Sequence, residues 1–344
     1  VDEASQLRMG ELALAMAALK PGGRLVLAGD DLQLPPIVHG TYPQARDGLP
    51  GLHDSVFAYL RARDRGPGGA DHYTCQLLDC WRMNGPLCRF AAETLYGDGF
   101  RPATPEIASR RLPLEPRSAR SKKNPAPAWL DLLLDPEHPL VVAVLRGVLA
   151  TSENKLEAEL TARVAVELRQ RLLGPEGRPY PATVEGDRQF WRRGLFIVSP
   201  HHVQIRAIER ALAARRTWHG PCFVDTVDKM QGQQADAVLV SYGVSDPETA
   251  LAEGEFIYSL ERLNVAVTRA RSHCVVFLPR PLLEPPFELL WDEAAARGLA
   301  HMHALLRYAL RSGPALEVPL EGLDAPQAAS LSVYRAGWGK GRAD

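Results

Sequence analysis

Cysteine is scarce in this chain, at five of 344 residues (Cys75, Cys80, Cys88, Cys222 and Cys274), an odd number with no paired Cys-x-x-Cys spacing. That excludes a disulfide framework and a zinc ribbon, and a reducing, cytoplasmic setting is the simplest expectation. His72, Cys75, Cys80 and Cys88 can be imagined as metal ligands, but small free thiols are common core residues and are read as such here. Surplus charge is lacking too: 40 Lys and Arg stand against 41 Asp and Glu. Bulk attraction to nucleic acid is thereby excluded, and any grip on a phosphate backbone has to come from local basic patches or backbone amides. No apolar run is long enough to span a bilayer; Pro139 to Ala150 comes nearest, and it is short and interrupted by Arg146. An initiating Met and a leader-like start are missing, and the chain opens partway through an apparent strand, so it reads as a piece of a longer protein.

What is present is ordinary for a globular chain of two domains, with 46% hydrophobic residues. Val1-Asp2-Glu3-Ala4-Ser5 reads as the end of a buried strand that delivers two adjacent carboxylates. Leu7 to Leu19 is a helical Ala/Leu run stopped by Pro21-Gly22-Gly23, and Arg24 to Ala28 reads as a buried strand. That strand ends in Gly29-Asp30-Asp31-Leu32-Gln33-Leu34-Pro35-Pro36, where the double proline can continue neither ladder nor helix. A fixed loop at a strand's C-terminal edge is where ligands bind in open α/β sheets.

Further along, a surface helix is expected over His53 to Arg63, a loose loop over Gly66 to Gly69 and a strand over Tyr73 to Leu78. Asp79-Cys80-Trp81-Arg82-Met83 and a helix from Pro86 to Tyr96 follow. From Arg101 to Pro136 the composition shifts to Pro, Arg, Ser and Lys, which reads as an irregular insertion. Its basic run (Arg110, Arg111, Arg117, Arg120, Lys122, Lys123) is read as a solvated loop in preference to a phosphate contact. Leu140 to Leu145 is a buried strand. Lys155 to Leu173 is a helix with one apolar face, and Asn154 with Glu157 has the form of a capping box at its start. After a second loop insertion, Gly174 to Gly194, come strand Leu195 to Ser199, helix His202 to Ala214, strands Cys222 to Thr226 and Ala237 to Tyr242, a helix near Leu260 to Ala270 and strand Cys274 to Leu278. This alternation implies an α/β fold with doubly wound parallel sheets flanked by helices. Beyond Pro285, two helices (Phe287 to Arg297 and His301 to Arg311) precede a Pro/Gly/Ala-rich tail that is expected to be disordered.

Six segments in order give the chain a resemblance. Val1 to Ser5, Gly29 to Pro36, Trp81-Arg82-Met83, Ser199-Pro200-His201 with Gln204, Asp225 to Gly232, and Arg262 to Ala270 together resemble the superfamily 1B helicases. The branch is that of the nonsense-mediated-decay RNA helicase and the Okazaki-fragment nuclease-helicase. The resemblance implies two RecA-like lobes of the P-loop NTPase fold, ATP and Mg²⁺ as cofactors, and single-stranded DNA or RNA as partner. It implies Asp2 as the Mg²⁺ ligand, Glu3 as the activator of the attacking water and Gln33 as γ-phosphate sensor, with Arg82 and Arg269 reaching the same phosphate. Gly29, Asp30, Gly232 and Gln234 join the nucleotide-binding set, and Ser199, Pro200, His201 and Thr226 the nucleic-acid set. The expected division is 1–78 for the back of the first lobe, 79–285 for the second lobe with insertions near 101–136 and 174–194, and 286–344 for the extension.

The chain also departs from that pattern. Gln234 stands where the family commonly has a glutamate, so a charge-assisted bond to a ribose hydroxyl is lost. Cys80 stands where a glutamine is common. No Gly-x-x-x-x-Gly-Lys-Ser/Thr occurs, and Gly337-Trp338-Gly339-Lys340-Gly341 lacks the hydroxyl and the place for one. Without that backbone nest the chain alone is expected to bind ATP poorly, and the parent protein is expected to carry the motif upstream. Two rival readings stand beside the helicase: a non-catalytic nucleic-acid-binding or regulatory module, and an unrelated P-loop ATPase acting on protein or small molecules.

Overall fold

The computed structural model describes residues 1–38, 42, 51–64, 74–116, 127–230, 232–320 and 322–338. His72, Arg117, Arg120, Lys122, Lys123, Gln231, the loop Gly66 to Gly69 and the stretch Gly339 to Gly341 lie outside the described residues. The chain divides into two compact units, 1–77 and 78–344.

In the first unit the helix Met9–Ala17 starts at Arg8, whose backbone N–H donates to Glu11 Oε2 (2.9 Å) and whose guanidinium donates to Glu11 Oε1 (2.6 Å). Its Leu12 packs with Ala4 and Val56 into a small core joined by Leu25, Leu27 and Phe57. A second helix spans Val56–Asp64. The two buried strands expected at Val1 to Ser5 and Arg24 to Ala28 do not form. Three bonds join the segments: the Val1 ammonium to the Val26 carbonyl (2.8 Å), Ala28 N–H to the Val1 carbonyl (2.9 Å) and Ala4 N–H to the Ala28 carbonyl (2.8 Å). Glu3 then turns left-handed (φ 51°) into the short 3-10 turn Ala4–Gln6. Each segment has the other as its ladder partner among the described residues. Leu25 and Leu27 face the small core while Val26, between them, is 74% exposed. A period-2 pattern with one covered face thus survives where burial on both faces was expected.

The second unit opens with β1 (Asp79–Cys80), parallel to β2 (Arg101–Pro102). No strand forms over Thr74 to Leu78, all of which are exposed. Seven further strands form one sheet: β3 (Leu140–Arg146), β4 (Leu195–Val198), β5 (Val224–Asp225), β6 (Ala235–Ser241), β7 (Ala270–Pro279), β8 (Leu316–Val318) and β9 (Ser330–Ala336). Their order is β5-β4-β6-β7-β3-β9-β8. The first five are mutually parallel, whereas β9 runs antiparallel to β3 and β8 antiparallel to β9.

Strands β3, β6 and β7 are buried on both faces, as near-continuous Val/Leu/Ala runs in a parallel sheet require. One face (Val141, Ala143, Ile197, Leu239, Val275, Phe277) packs with Leu160, Val164 and Leu168 of helix Lys155–Arg171 and Ile208 and Leu212 of helix His202–Arg215. Helix Glu293–Leu310 contacts β3 and β9, and helices Gly85–Ala91 and Leu260–Thr268 contact β7. Tyr308 donates to the Pro86 carbonyl (2.8 Å), tying two of these helices together.

Several expectations need correction. The tail is not disordered through Ala336: Leu331 and Val333 alternate into the core, and their strand extends the sheet beyond β3. Its alternating Leu-Ser-Val-Tyr run was outweighed by the surrounding Pro, Gly and Ala. The two C-terminal helices are one, Glu293–Leu310, preceded by the 3-10 turn Phe287–Trp291. Gly298 lies within that helix because a Cβ there would come 1.4 Å from the Tyr258 carbonyl oxygen. It permits close packing and does not break the helix. The insertion near 174–194 carries helix Val184–Gln189 and a π turn, Phe190–Gly194, with Phe190 and Trp191 buried. That near 101–136 carries β2 and the helices Pro105–Ala108 and Ala128–Leu133. Among the described residues no helix is long and apolar enough to cross a membrane.

Candidate functional site

Within the first unit, Asp2 and Glu3 stand at the exposed end of the short ladder, and Asp2 Oδ1 accepts from the Glu3 N–H at 2.9 Å. The left-handed backbone at Glu3 is a conformation that non-glycine residues adopt at a cost. The loop from Gly29 is organised by Asp30. Its Oδ1 accepts from Leu32 N–H (3.0 Å), its Oδ2 from the Gln33 amide (2.8 Å), and its carbonyl from Gln33 N–H (3.1 Å). Asp30 thus orients Gln33 from within the first unit. Gly29 serves close approach: a Cβ there would lie 2.8 Å from Ser5 N and 2.9 Å from Ala4 N, so this loop leaves directly against the carboxylate-bearing turn.

In the second unit the candidate residues fall on opposite edges of the sheet. At the N-terminal edge, Gln234 and Arg269 immediately precede β6 and β7, whose first residues pair (Ala235 with Ala270). Ala235 N–H donates to the Arg269 carbonyl at 3.1 Å. Gly232, left-handed at φ 75° with open space around its Cβ position, makes the turn into β6. Arg269 ends helix Leu260–Thr268 and is 2% exposed. Arg82 comes to the same place from a distant part of the chain, donating from Nη1 to the Thr268 carbonyl at 2.9 Å. The structure therefore brings Arg82, Arg269, Gly232 and Gln234 together. Beside Arg82, Cys80 and Cys88 are buried free thiols. Cys80 is held below the ordinary thiol pKa by the neighbouring Cys88 thiol and by the Met83 N–H, which reaches its Sγ at 3.4 Å.

At the C-terminal edge, Ser199 and Thr226 follow the paired strands β4 and β5. Ser199 is fully buried: its N–H donates to the Asp225 carbonyl (3.1 Å), and its Oγ has no hydrogen-bond partner among the described residues. The side chain expected to meet a nucleic acid is thus packed inside, because the residue after β4 continues the parallel ladder. Thr226 is partly exposed, with its N–H turned back to Asp225 Oδ1 (2.7 Å). Pro200 is partly exposed. His201 Nδ1 lies 3.4 Å from Glu253 Oε2 and its ring 5.7 Å from that of Phe256. Burial lowers the His201 pKa against the opposing pull of Glu253. The seven residues of β6 separate the two edges by roughly 20 Å, at about 3.3 Å per residue.

Sequence reasoning missed the residues that hold these edges in place. Arg262, inside the Arg262 to Ala270 segment, donates to Asp228 Oδ2 at 2.7 Å and stacks over Phe256 with 4.3 Å from Cζ to ring centroid. The opposite charges were legible, but their pairing across 34 residues was not. The capping box is half realised. Asn154 Oδ1 accepts from Glu157 N–H (3.0 Å), while the Asn154 N–H donates to Gln204 Oε1 (2.8 Å). Glu157 instead turns inward, its Oε1 accepting from Ser241 Oγ (2.8 Å) and Gly243 N–H (3.0 Å). Complete burial pushes its pKa up to about 7, partly offset by those two bonds.

The AAA domain family matches residues 52–278. The chain is 25% identical over 284 residues to the DNA replication ATP-dependent helicase/nuclease dna2 of Schizosaccharomyces pombe, covering 80% of this chain and 18% of that protein. It is 28% identical over 311 residues to the mouse DNA replication ATP-dependent helicase/nuclease DNA2, covering 87% and 26%. The DNA-binding protein SMUBP-2 of Mesocricetus auratus is 26% identical over 253 residues, covering 74% and 22%. The chain thus spans between 18% and 26% of the length of these relatives. With a family match over more than half its length and relatives of this kind, the chain belongs to the AAA domain family, in its superfamily 1B helicase branch.

Proposed function

We propose that this chain is part of an ATP-dependent helicase that couples ATP hydrolysis to movement along a single strand of DNA or RNA. The observation that carries the proposal is the convergence of Arg82 on the Thr268-Arg269 corner at the N-terminal edge of the sheet. Two arginines from segments 187 residues apart are useful together where charge spreads over phosphate oxygens, as in phosphoryl transfer. The similarity to proteins named as ATP-dependent helicases supports the choice of ATP.

In this proposal the catalytic residues are Asp2, Glu3, Gln33, Arg82 and Arg269. Asp2 would hold Mg²⁺. An exposed carboxylate just before a tight turn suits a hard cation that keeps several waters and needs only one or two protein oxygens besides phosphate. When bound, the ion supplies neutralisation of phosphate charge. Glu3 accepts a proton from the attacking water, Gln33 reports on the γ-phosphate with its amide fixed by Asp30, and the arginines stabilise the charge that develops. Gly29, Asp30, Gly232 and Gln234 line the nucleotide. The phosphate-binding loop has to come from outside these 344 residues, and a cytoplasmic setting fits five free cysteines.

At the opposite edge of the second unit's sheet, Thr226, Pro200 and His201 contact the strand without reading its sequence, and Ser199 supports them from inside. The test is ATP hydrolysis by a longer protein that includes this chain and a phosphate-binding loop, with and without single-stranded DNA or RNA. Hydrolysis stimulated by a strand is expected. Strand binding without hydrolysis favours the non-catalytic module, which the presence of Asp2, Glu3, Gln33, Arg82 and Arg269 together speaks against. Hydrolysis that no strand stimulates favours the unrelated ATPase.

A further inference from the structure

Loop Trp81 to Asn84 carries Arg82 but contains no regular structure. Its conformation is instead imposed by a strap, the irregular segment that follows helix Pro105–Ala108 and carries Arg110. Arg110 donates from Nη1 to the Arg82 carbonyl at 2.6 Å. In return the Asn84 amide donates to the Arg110 carbonyl at 2.9 Å. The two contacts bracket the loop on both sides of Met83.

The same Asn84 anchors the loop to the strand that begins just after Arg269. Its Nδ2 also donates to the Ser272 carbonyl (2.9 Å), its N–H donates to the Arg271 carbonyl (3.1 Å), and its Oδ1 accepts from Leu87 N–H (3.3 Å). Asn84 is completely buried, so each of these bonds forms away from water, where loss of a partner is costly. Arg110 is in turn confined. Burial and the nearby Arg271 lower its pKa, and Arg271 already occupies Asp236 at 2.8 Å. A cation crowded by like charge gains most from a carbonyl dipole, and the one it reaches belongs to Arg82.

We propose that Arg110 is a positioning residue for Arg82: it fixes the backbone of the arginine-bearing loop so that the Arg82 guanidinium meets the Thr268-Arg269 corner in one geometry. The inference rests on the reading of Arg82 as a phosphate-contacting arginine. Among the described residues the Arg110 guanidinium donates to the Arg82 main chain and not to its side chain. A displacement of about 1 Å at a catalytic group is enough to cost roughly 10²-fold in rate.

Two measurements test it. The first is amide hydrogen exchange on this chain with Arg110→Met and Arg110→Lys. The methionine variant is expected to raise exchange in residues 81–84 at least tenfold, with β3 and β7 protected as before, and lysine is expected to restore part of the protection. Unchanged exchange at 81–84, or a loss of protection spread over the whole unit, overturns the proposal. The second is ATP hydrolysis by the longer protein. Arg110→Met is expected to lower kcat about tenfold or more with the KM for ATP within twofold, and to add nothing to Arg82→Ala in the double variant. Additive losses overturn the proposal even where hydrolysis by the unaltered protein upholds the helicase reading. If Arg82→Ala leaves hydrolysis unchanged while exchange at 81–84 responds to Arg110→Met, the reading of Arg82 fails and the strap stands.

Discussion

Arg82 reaches the main-chain carbonyl of Thr268 and not its side chain, at 2.9 Å. The Thr268 hydroxyl is spent inside its own helix, donating to the Asn264 carbonyl at 2.8 Å. Recognition of the backbone makes the contact independent of the side chain at 268. Thr268→Val is therefore expected to change stability by no more than about 1 kcal/mol and to leave hydrolysis within about threefold. Chemical denaturation and steady-state rates check this, and a loss comparable to that of Arg82→Ala would show that the threonine has a role of its own.

Glu157 gives a pH dependence with a definite sign. Its pKa is about 7 in the folded chain and about 4.3 unfolded, so the folded state binds the proton more tightly. The contribution to stability is complete below about pH 4 and is lost as pH rises through 7. Its size is on the order of 3 kcal/mol. Glu157→Gln mimics the protonated form and is expected to abolish this slope. Denaturation midpoints at intervals from pH 4.5 to 8 read the difference, and parallel curves for the two proteins would contradict the assignment.

The Arg169 and Asp187 pair behaves oppositely. Asp187 is fully buried and accepts from Arg169 Nε (2.7 Å), Arg216 Nη2 (3.0 Å) and the His219 N–H (3.0 Å). Burial raises its pKa, but these donors overcome that and hold it below the ordinary carboxylate value. The resulting stability is present above the unfolded pKa and is lost as pH falls through the folded one. Asp187→Asn leaves two arginines facing an amide and is expected to cost roughly 3 to 5 kcal/mol, as when one partner of a buried pair is removed. A denaturation midpoint unchanged at pH 7 would refute this.

How much was legible depended on the range over which a residue acts. The runs Leu140 to Leu145, Leu195 to Ser199 and Cys274 to Leu278 became parallel strands because burial on both faces leaves a continuous apolar signature. Gly232 and Gln234 were singled out by the resemblance, and the run Ala237 to Tyr242 beside them became β6, which starts two residues earlier at Ala235. Arg24 to Ala28 carries that signature and yet is only half covered, since burial is a property of neighbours and not of the run. The burial of Ser199 was not legible because an exposed and a ladder-bound residue after a strand look alike in sequence. The pairings that build the site, Arg82 with Thr268 and Arg110 with Arg82, link segments that no local pattern relates.

The C-terminal strands make a prediction of their own. β9 covers the edge of β3 through residues 330–336 and buries Leu331, Val333 and Tyr334. Ending the chain at Gly313 exposes that edge and removes these side chains, at about 1.5 to 3 kcal/mol for each large one. The truncated protein is expected to melt lower and to aggregate through the open edge. Light scattering during a thermal melt checks this, and an unshifted, clear melt would contradict it.

The central claim is that Arg82 and Arg269 act on one phosphate. It is tested most directly by turnover at saturating ATP and single strand in the longer protein with Arg82→Ala, Arg269→Ala or both. The account predicts that each single variant loses roughly 10³-fold or more in kcat while still binding nucleotide, and that the double variant is little worse than either. Turnover within about threefold of the unaltered protein for either single variant would contradict it.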